Sequence, residues 1–415
     1  MFLEIKGIGK IQDSKIEIKG ITVIAGENST GKSTFGKVLY CMFSAFYNTE
    51  EMIKNERSRY IRRIINTSFN RLRSPIKLNL SLKKWSKNFI DETKNNKAFS
   101  DNDIRKMLLD SFPFVKEENE NTIKNVIENI KRFMLISDEE IQKSIVDDYF
   151  ENEFGKQINH VNRRQLIGKV SLIIQGKNIS INIENNECSE FKDNVGICYE
   201  VIYIDTPFVM DNFSEYYSVA NHHRRDIRQR LFKKQSDNDN TLIEKVIVNQ
   251  KIKSILASID STFGGEFDED EEGLKFKERK LKKSISFSNV STGVKTFLII
   301  KRLLELGEIK EHGVLILDEP EIHLHPEWQL KFAEILVLLQ REFNLTILLT
   351  THSPYFLNAV EVYGKKHGIK DKINFYLAEN EKDISNIQDV TDSIDVIYKK
   401  LAKPLQNLED IEWED

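Results

Sequence analysis

The sequence lacks the features that mark disulfide-bonded, secreted or membrane-spanning proteins. Its three cysteines, Cys41, Cys188 and Cys198, lie far apart and form no CxxC pair, which suits a reducing cytoplasm and argues against a zinc ribbon. The longest apolar runs, such as "EILVLLQ" and "LTILLTT", fall far short of the roughly 20 residues that a membrane-spanning helix needs. The opening "MFLEIKGIGK" has no basic stretch followed by an apolar one, so we expect no secretory signal. We therefore predict a cytoplasmic protein with no membrane partner.

An excess of charge of one sign is also missing. The 415 residues include 61 Lys and Arg against 65 Asp and Glu, for a net charge of −4. No overall field therefore favours nucleic acid or a membrane surface, and any such surface must be local. Apolar residues at 40% and charged residues at 30% are typical of a globular protein, and the chain is long enough for one large domain with an insertion.

The pattern of apolar residues changes near residue 47. Residues 1–46 contain two alternating strands, a continuously apolar strand at 21–25 and a helix, which predicts an N-terminal lobe with antiparallel outer strands. Residues 47–160 are polar and mostly helical in period. One apolar stripe at helical spacing consists of Ile123, Val126, Ile127 and Ile130. We predict a helical insertion with a small core of its own.

Residues 161–415 return to a pattern of strands and helices. A hairpin is expected at 169–183 and a strand at 200–205, whereas the acidic run "EFDEDEEG" is interpreted as a loop. Further on, helices alternate with the apolar strands 314–318 and 345–350, an order that predicts a parallel sheet wrapped by helices. The predicted fold class is α/β, a mixed sheet with antiparallel N-terminal strands and a helical insertion.

The stretch "GENSTGKS" fits the pattern GxxxxGK[ST] and stands between the strand 21–25 and a helix. In that context successive backbone N–H groups and the positive end of the helix dipole cradle phosphate oxygens. Lys32 then reaches the β- and γ-phosphates, and Ser33 gives its hydroxyl to Mg²⁺. The predicted nucleotide-binding residues are Gly26, Glu27, Asn28, Ser29, Thr30, Gly31, Lys32, Ser33 and Thr34.

A second motif, "VLILDEPEIHLHP", follows an apolar strand with acids and histidines. Beyond the carboxyl end of a neighbouring parallel strand, Asp318 is suited to hold Mg²⁺ through its waters, and Glu319 to polarise the attacking water as general base. The alternative is zinc, for which His323 and His325 would have to converge with a third ligand. No HExxH or other helical ligand pair supports zinc, and we interpret His325 as part of the turn before the next helix.

Two further segments complete the predicted site. "LLTTHS" is an apolar strand followed by His352, from where an imidazole can hydrogen-bond the γ-phosphate and the attacking water. In "FSNVSTGVKTF", Ser291 follows a strand and Gly293 starts a helix, so a hydroxyl and exposed N–H groups form a second anion site. The chain has one nucleotide at its own phosphate loop, so the second site is expected to cap the γ-phosphate on a partner subunit.

In this order, "GENSTGKS", "VSTGV", "LILDEPEIHLHP" and "TTHS" resemble the motifs of ABC-type ATPase heads, and within them the SMC-like, RecF-like and OLD-like proteins. With the opening "FLEIKGIGKI" they cover both ends of the chain but not residues 47–200. The resemblance implies a P-loop NTPase that binds ATP and Mg²⁺. It implies Lys32 and Ser33 as the phosphate-loop pair, Asp318 as the magnesium holder and Glu319 as the base.

The same resemblance implies His352 as a switch histidine and a head-to-tail homodimer that sandwiches two ATP molecules. Ser291 and Gly293 would be the signature residues that act in trans. The signature reads "VSTGV" instead of LSGGQ, with Thr292 where glycine is usual, which implies slow or partner-gated turnover. The glutamine that usually joins the two lobes does not follow the strand at 200–204, and the weak candidates for it are Gln165 and Gln175.

A local basic surface is predicted within the insertion. Residues 54–88 contain eleven basic residues and a single acid, Glu56, interleaved with Tyr60, Phe69 and Trp85. The basic residues are Lys54, Arg57, Arg59, Arg62, Arg63, Arg71, Arg73, Lys77, Lys83, Lys84 and Lys87. Such a surface suits contacts with the phosphates of DNA. A solvated helix face and a docking site for an acidic protein are the alternatives.

The predicted function is an ATPase whose ATP-closed dimer controls a DNA-directed process, either defence against phage or plasmids or DNA repair and maintenance. Residues 353–415 are too few for the nuclease domain that OLD-like proteins often add, so an effector, a nuclease or toxin, is expected on a separate protein. The alternative is a low-turnover, ATP-gated scaffold that holds such a partner. A transporter motor shares the motif order but is disfavoured by the long interval between Ser33 and Ser291.

Overall fold

The protein is represented by a computed structural model with two compact units. The structure describes residues 1–69, 76–95, 100–112, 115, 120–162, 167–211, 221–233, 242–270, 273–279, 281–382 and 384–402. Unit 1 consists of Met1–Ser44 and Asp147–Asp415, and unit 2 of Ala45–Val146. Unit 2 overlaps the helical insertion predicted at 47–160. Within the described ranges, no helix is both long enough and apolar enough to cross a bilayer.

Runs of strands and runs of helices make up the first two thirds of the described chain, and helices alternate with single strands from residue 292 to residue 381. The strands are β1 (Phe2–Ile8), β2 (Ile11–Glu17), β3 (Ile21–Gly26), β4 (Gly168–Ile174), β5 (Lys177–Glu184), β6 (Glu187–Asp193), β7 (Val201–Ile204), β8 (Gly265–Asp270), β9 (Gly273–Glu278), β10 (Ile285–Ser286), β11 (Val314–Asp318), β12 (Thr346–Thr351), β13 (Ile373–Glu381) and β14 (Ile384–Asp389). The helices are α1 (Lys32–Phe46), α2 (Thr49–Ser68), α3 (Ile76–Asn95), α4 (Asp101–Ser111), α5 (Glu120–Met134), α6 (Asp138–Phe154), α7 (His222–Leu231), α8 (Leu242–Thr262), α9 (Thr292–Glu305), α10 (Pro326–Phe343) and α11 (Pro354–Lys366).

A large mixed sheet forms the centre of unit 1. Among the described residues it has eleven strands in the order β6-β5-β4-β1-β2-β14-β13-β3-β12-β11-β7. Strands β13, β3, β12, β11 and β7 are mutually parallel, whereas β1, β2, β4, β5 and β6 pair antiparallel. Strands β3, β11 and β12 are largely apolar and almost wholly buried, as expected where helices cover both faces of a sheet. The predicted α/β fold class is confirmed.

The register of the parallel strands aligns their carboxyl ends. Asp318 in β11 lies opposite Thr350 in β12, and Thr351 lies opposite Ala25 in β3. The segments that leave β3, β11 and β12 therefore emerge at one edge of the sheet, where ligands of such sheets bind. These are the segments predicted to carry the phosphate loop, the two acids and His352.

Unit 2 has an apolar cluster of its own. Helix α5 buries the stripe predicted from helical spacing, Ile123, Val126, Ile127 and Ile130, together with Phe133. The start of α6 is closed by a capping box. The N–H of Ser137 donates to Glu140 Oε2 at 2.9 Å, and the N–H of Glu140 donates to Ser137 Oγ at 3.1 Å.

The acidic run at 266–272, predicted as a loop, is a strand over most of its length. Strand β8 pairs antiparallel with β9 in a separate three-stranded sheet of the described chain. Opposite charges face each other in two cross-strand pairs, Glu266 with Lys277 and Asp268 with Lys275. These pairs offset the repulsion within the acidic run, while Phe267 lies opposite the buried Phe276. The prediction was wrong because charge pairing between strands is invisible within one segment. The polar strands β6 and β14 were also missed.

Candidate functional site

The phosphate loop connects β3 to α1 at the carboxyl edge of the sheet. Gly26 ends β3, and a Cβ there would lie 2.2 Å from the carbonyl oxygen of Ala378 in β13, so only glycine fits. Gly31 has a positive φ of 81°. Glu27, Asn28 and Ser29 are exposed at the tip of the loop. The two glycines of the motif thus have different causes. Gly26 is needed because the backbone of β13 comes close, and Gly31 because the loop turns there with a positive φ.

Neighbouring segments hold the phosphate loop in place. The Thr30 hydroxyl donates to the Glu27 carbonyl at 2.8 Å, and the N–H of Thr34 donates to the Gly31 carbonyl at 3.1 Å. From outside the loop, Lys10 Nζ donates to the Ser29 carbonyl at 3.2 Å. Ser385 Oγ in β14 donates to the carbonyl of Thr30. The missed strand β14 therefore supports the loop.

The Lys32 ammonium is buried among oxygen atoms at the base of the loop. Its Nζ donates to the carbonyls of Gly26 at 2.9 Å and Glu27 at 2.7 Å. It also lies 3.2 Å from Glu319 Oε1, with the lysine side chain 3% exposed. Lysine has three N–H donors, so these oxygens satisfy the charge. The structure thus brings together the predicted phosphate-binding lysine and the predicted base.

Asp318 stands at the end of β11 in contact with the phosphate loop. Thr350 Oγ1 donates to Asp318 Oδ1 at 2.5 Å, and Tyr203 OH donates to Oδ2 at 3.2 Å. Burial raises the pKa of Asp318, and the hydroxyls of Thr350 and Ser33, which both donate to it, offset part of that rise. A serine hydroxyl beside a carboxylate fits a Mg²⁺ that keeps most of its waters and bridges a nucleotide. Ser33 and Asp318 are the residues that would hold it.

Glu319 occupies a strained backbone position directly after Asp318. Its φ is 48°, in the left-handed region that non-glycine residues seldom adopt. The N–H of Glu319 donates to the Thr350 carbonyl at 3.2 Å and to Thr350 Oγ1 at 3.0 Å. The turn therefore aims the carboxylate toward Lys32 on one side and His352 on the other. Such strain is typical of functional turns.

His352 follows β12, and its ring lies between two carboxylates. Nδ1 is 3.7 Å from Glu319 Oε2 and 3.8 Å from Glu321 Oε1. The N–H of His352 donates to Glu321 Oε1 at 3.0 Å. The sequence predicted no role for Glu321, one of the acids of this motif. Its contact with the end of β12 and with His352 joins segments that are distant in the sequence, which no local pattern reveals.

The two histidines considered for zinc have other contacts. His325 is the N-cap of α10, and its Nδ1 accepts the N–H of Glu327 at 3.4 Å, as the turn interpretation expected. The ring of His323 packs edge-on to Phe208, with centroids 5.8 Å apart.

The signature residues form the start of α9. Ser291 is the N-cap, its carbonyl accepts the N–H of Lys295 at 3.1 Å, and its hydroxyl makes no capping bond to the helix. A Cβ on Gly293 would lie 2.7 Å from the carbonyl oxygen of His323. Glycine is therefore needed because α9 packs against the turn that follows Glu319. In-trans contacts of Ser291 and Gly293 remain a prediction.

A buried ionic network lies next to Asp318. His223 Nδ1 is 2.6 Å from Glu153 Oε2, and its Nε2 is 3.2 Å from Asp205 Oδ2. Burial alone would lower the pKa of His223, but the two carboxylates raise it. Burial alone would raise the pKa of Asp205, but hydrogen bonds from His223 and Arg224 lower it to about 2. The sequence stretch 221–225, "NHHRR", looks like a solvated helix start, yet His223 within it is buried.

Asp205 occupies the position after β7 where the lobe-joining glutamine was sought. It lines a cleft of about 130 Å³ together with Asp318, Glu319 and Thr296. Gln175 lies in the turn between β4 and β5, and four strands separate β4 from β3 in the sheet. Gln165 lies outside the described residues. Gln175 therefore lies far from β3 and the phosphate loop in the strand order of the sheet. The residue directly after β7 is an acid, Asp205, and not a glutamine.

Part of the predicted basic surface is engaged within unit 2. Four of its residues form ion pairs, Lys54 with Asp91, Arg57 with Asp138, Arg59 with Glu56 and Lys87 with Glu51. Arg63, Lys83 and Lys84 are exposed, and no ion pair joins them to a described residue. Arg71, Arg73 and the side chain of Lys77 lie outside the described residues.

The aromatic residues of the same segment serve the core of unit 2. Phe69 is fully buried, Tyr60 stacks on Phe133 with centroids 4.5 Å apart, and Trp85 stacks on Phe89 at 5.3 Å. The interleaving of aromatic and basic residues is therefore explained by packing. Only the exposed charges remain as a basis for nucleic-acid contacts.

Residues 21–358 match the family described as "AAA domain, putative AbiEii toxin, Type IV TA system". This match spans most of the chain, and the protein belongs to this family of AAA domains. The ATPase-type nucleotide-binding domain that the motifs predicted is thereby supported at the level of the AAA family.

Two curated relatives carry similar segments. A stretch of 149 residues is 34% identical to the "Retron Vc95 probable ATPase" of Vibrio cholerae serotype O1 biovar El Tor, and covers 32% of this chain and 28% of that protein. A stretch of 103 residues is 32% identical to the "Retron Ec83 probable ATPase" of Escherichia coli, and covers 21% of this chain and 18% of that protein. The matched segments thus span well under half of either relative.

Solved structures of SMC heads are similar over nearly the whole length. The "SMC head domain from Thermotoga maritima" has a TM-score of 0.38 at 13% identity, covering 94% of this chain and 98% of that one. The "SmcHead bound to the C-winged helix domain of ScpA" has a TM-score of 0.45 at 11% identity, covering 94% and 96%. Neither likeness is close enough to transfer a residue role or a partner.

Asp205→Asn is expected to lower the free energy of unfolding at neutral pH by removing a contribution that the parent protein itself loses in acid. Because the pKa of Asp205 falls from 3.8 to about 2 on folding, its carboxylate stabilises the fold above about pH 4, and this stabilisation is lost as the pH falls through 2. The shift corresponds to roughly 2 kcal/mol. Melting temperatures of the variant and the parent should differ most above pH 4 and converge below it. Asp110→Asn, at an exposed aspartate with no ion pair to a described residue, is the control and should change the melting temperature little.

Proposed function

We propose that this protein binds ATP with Mg²⁺ at the phosphate loop and hydrolyses it. The observation that carries the proposal is the convergence of Lys32 with Glu319, and of Ser33 with Asp318, at one edge of the sheet. Membership of the AAA family and the similarity to two probable ATPases support it.

Each residue of the site has a proposed role in hydrolysis. The backbone of residues 26–34 holds the phosphates, and Lys32 exchanges its present partners, the two carbonyls and the Glu319 carboxylate, for phosphate oxygens. This exchange frees Glu319, whose carboxylate accepts a proton from the attacking water. His352 orients that water and the γ-phosphate. Ser33 and Asp318 would hold Mg²⁺, which would supply charge neutralisation at the phosphate oxygens.

Glu319→Gln should separate ATP binding from ATP hydrolysis. The amide keeps the shape of the side chain but cannot accept the proton, so we expect kcat to fall by roughly 10²–10⁴-fold with ATP affinity retained. Lys32→Ala should weaken ATP binding itself. Nucleotide binding is measured by calorimetry and hydrolysis by phosphate release, each with and without Mg²⁺. Absence of Mg²⁺-dependent ATP affinity in the parent protein would refute the proposal.

We further propose a head-to-tail homodimer in which Ser291 and Gly293 of one subunit complete the site of the other. The start of α9 offers N–H groups and a hydroxyl that makes no bond to its own helix. Such a helix start is a ready anion site. Bound ATP would then hold the two subunits together, and the dimer would open after ATP is hydrolysed.

A mixing experiment tests this composite site. Lys32→Ala and Ser291→Arg should each be inactive alone, because each defect spoils both sites of its own dimer. In a mixed dimer one site combines the intact Lys32 of one chain with the intact Ser291 of the other. An equal mixture should regain about a quarter of the parent activity, since half of the dimers are mixed and each has one good site. No regain would mean that the signature acts within its own chain.

We propose that Arg63, Lys83 and Lys84 of unit 2 contact the phosphates of DNA. Their exposure and lack of ion pairs to described residues support this choice, because paired charges must break an existing contact before they can neutralise phosphate. A docking site for an acidic protein is the competing use of the same charges.

Alanine at these three positions should weaken duplex DNA binding and reduce its salt dependence. Each lost phosphate contact lowers the slope of log K against log salt by about 0.9, so a fall of up to about 3 is expected. The matched control replaces Lys54, Arg59 and Lys87, which are paired within unit 2, and should change the slope less. Fluorescence anisotropy over a salt series measures both. An equal loss in the two triple variants contradicts the assignment.

The biological setting we propose is cytoplasmic defence, with a separately encoded nuclease or toxin as effector. The words "toxin" and "Type IV TA system" in the family description and "retron" in the names of the relatives favour it over DNA repair. The tail segment 391–402, helical from residue 395, is a weak docking site for an effector. Its Ile397 is buried in the core of unit 1, and its Tyr398 OH donates to Glu361 Oε2 at 3.4 Å.

The competing function is an ATP-gated scaffold with little turnover, and the "VSTGV" signature favours it. The Glu319→Gln variant distinguishes the two in cells that carry the protein with its neighbouring genes. If protection from phage needs hydrolysis, the variant abolishes protection. If ATP only closes the dimer around a partner, protection survives.

A further inference from the structure

The turn between β11 and α10 buries a carboxylate that the proposed mechanism does not use. Glu321 is 1% exposed, and its Oε1 accepts the Thr351 hydroxyl at 2.5 Å and the N–H of His352 at 3.0 Å. Its Oε2 is buried and has no hydrogen-bond partner among the described residues. Burial raises the pKa of Glu321, and the bonds from Thr351 and His352 offset part of the rise. Burying a carboxylic acid with one unpaired oxygen costs folding free energy, so we expect this residue to have a function.

The ring of His352 has a matching unsatisfied atom. Nδ1 is buried and has no hydrogen-bond partner within the described chain, although it lies 3.8 Å from Glu321 Oε1. That distance is too long for a hydrogen bond, but such contacts in ligand-free sites often shorten when substrate binds. The orphaned nitrogen therefore lies a short gap away from the Glu321 carboxylate, on the side of Oε1, while Oε2 is the oxygen without a partner among the described residues.

We propose that Glu321 is the positioning residue of His352. Its carboxylate accepts a hydrogen bond from Nδ1–H, keeps that nitrogen protonated, and thereby directs the opposite nitrogen, Nε2, to the γ-phosphate. The inference rests on the proposed ATPase function for its kinetic consequences, though not for the ring contact itself.

Two observations select Glu321 over Glu319, the other carboxylate near Nδ1. Glu319 is held by Lys32 at 3.2 Å and, as the proposed base, must change its partners during the reaction. Glu321 is anchored by two donors on one oxygen, and one of these is the backbone of His352 itself. A carboxylate so fixed can define a ring orientation and tautomer, as an aspartate does in a Ser-His-Asp triad.

Glu321→Gln tests the charge while it retains the size and one oxygen acceptor for Thr351 and the backbone. We expect kcat to fall by about 10–100-fold, the usual effect of losing a group that orients another, with KM for ATP and the melting temperature little changed. Glu327→Gln, an exposed acid six positions further in the first turn of α10, is the matched control and should leave both constants unchanged.

The combination with His352→Ala shows whether Glu321 acts through the histidine. In that background Glu321→Gln should cause no further loss of kcat, because residues that act as a unit are not additive. An equal loss in both backgrounds would overturn the proposal and assign Glu321 a role independent of the histidine.

A spectroscopic readout decides the ring contact without hydrolysis. In protein with ¹⁵N-labelled histidine rings, the signals of His352 are identified by their absence in His352→Ala. With and without a non-hydrolysable ATP analogue, the parent and Glu327→Gln should show Nδ1 protonated, and Glu321→Gln should shift toward the other tautomer. Identical ring signals in the parent and Glu321→Gln overturn the proposal. A parent protein that fails to hydrolyse ATP but shows this shift refutes the ATPase function and retains the ring contact.

Discussion

One threonine hydroxyl holds the acidic edge of this protein together. Thr350 Oγ1 donates to Asp318 at 2.5 Å and accepts the N–H of Glu319 at 3.0 Å. Because β11 and β12 are parallel and in register at this point, one side chain fixes both acids. Asp318 is thereby kept against Ser33, and the strained turn at Glu319 is kept against Lys32. Without this alignment of strand ends, the four motifs would remain separate segments.

The parts of the site that sequence predicts well are those whose geometry is local. A glycine-rich loop after a buried strand, or an acid directly after one, fixes its own position relative to that strand, so Lys32, Asp318 and His352 lie where their motifs placed them. Parallel order followed from the alternation of helices and strands.

Contacts between distant segments were not predictable from one sequence. Glu321 and Thr351 are thirty positions apart in the chain, and Glu153 and His223 are seventy apart. The strand β8 depends on charges supplied by β9, and the need for Gly293 depends on a carbonyl in the turn after β11. In each case the deciding partner lies on another segment, which the periodicity of a single stretch does not reveal.

The oxygen cage around Lys32 has a consequence for the choice of an inactive reference protein. Two carbonyls and the Glu319 carboxylate share one buried ammonium. Truncating the lysine would strand these acceptors and leave a mostly buried negative charge without its counter-ion. Such a variant differs from its parent in folding free energy and in the local electrostatic field before any ligand is added. It is therefore not a suitable inactive control. An acid-to-amide exchange disturbs the resting protein less.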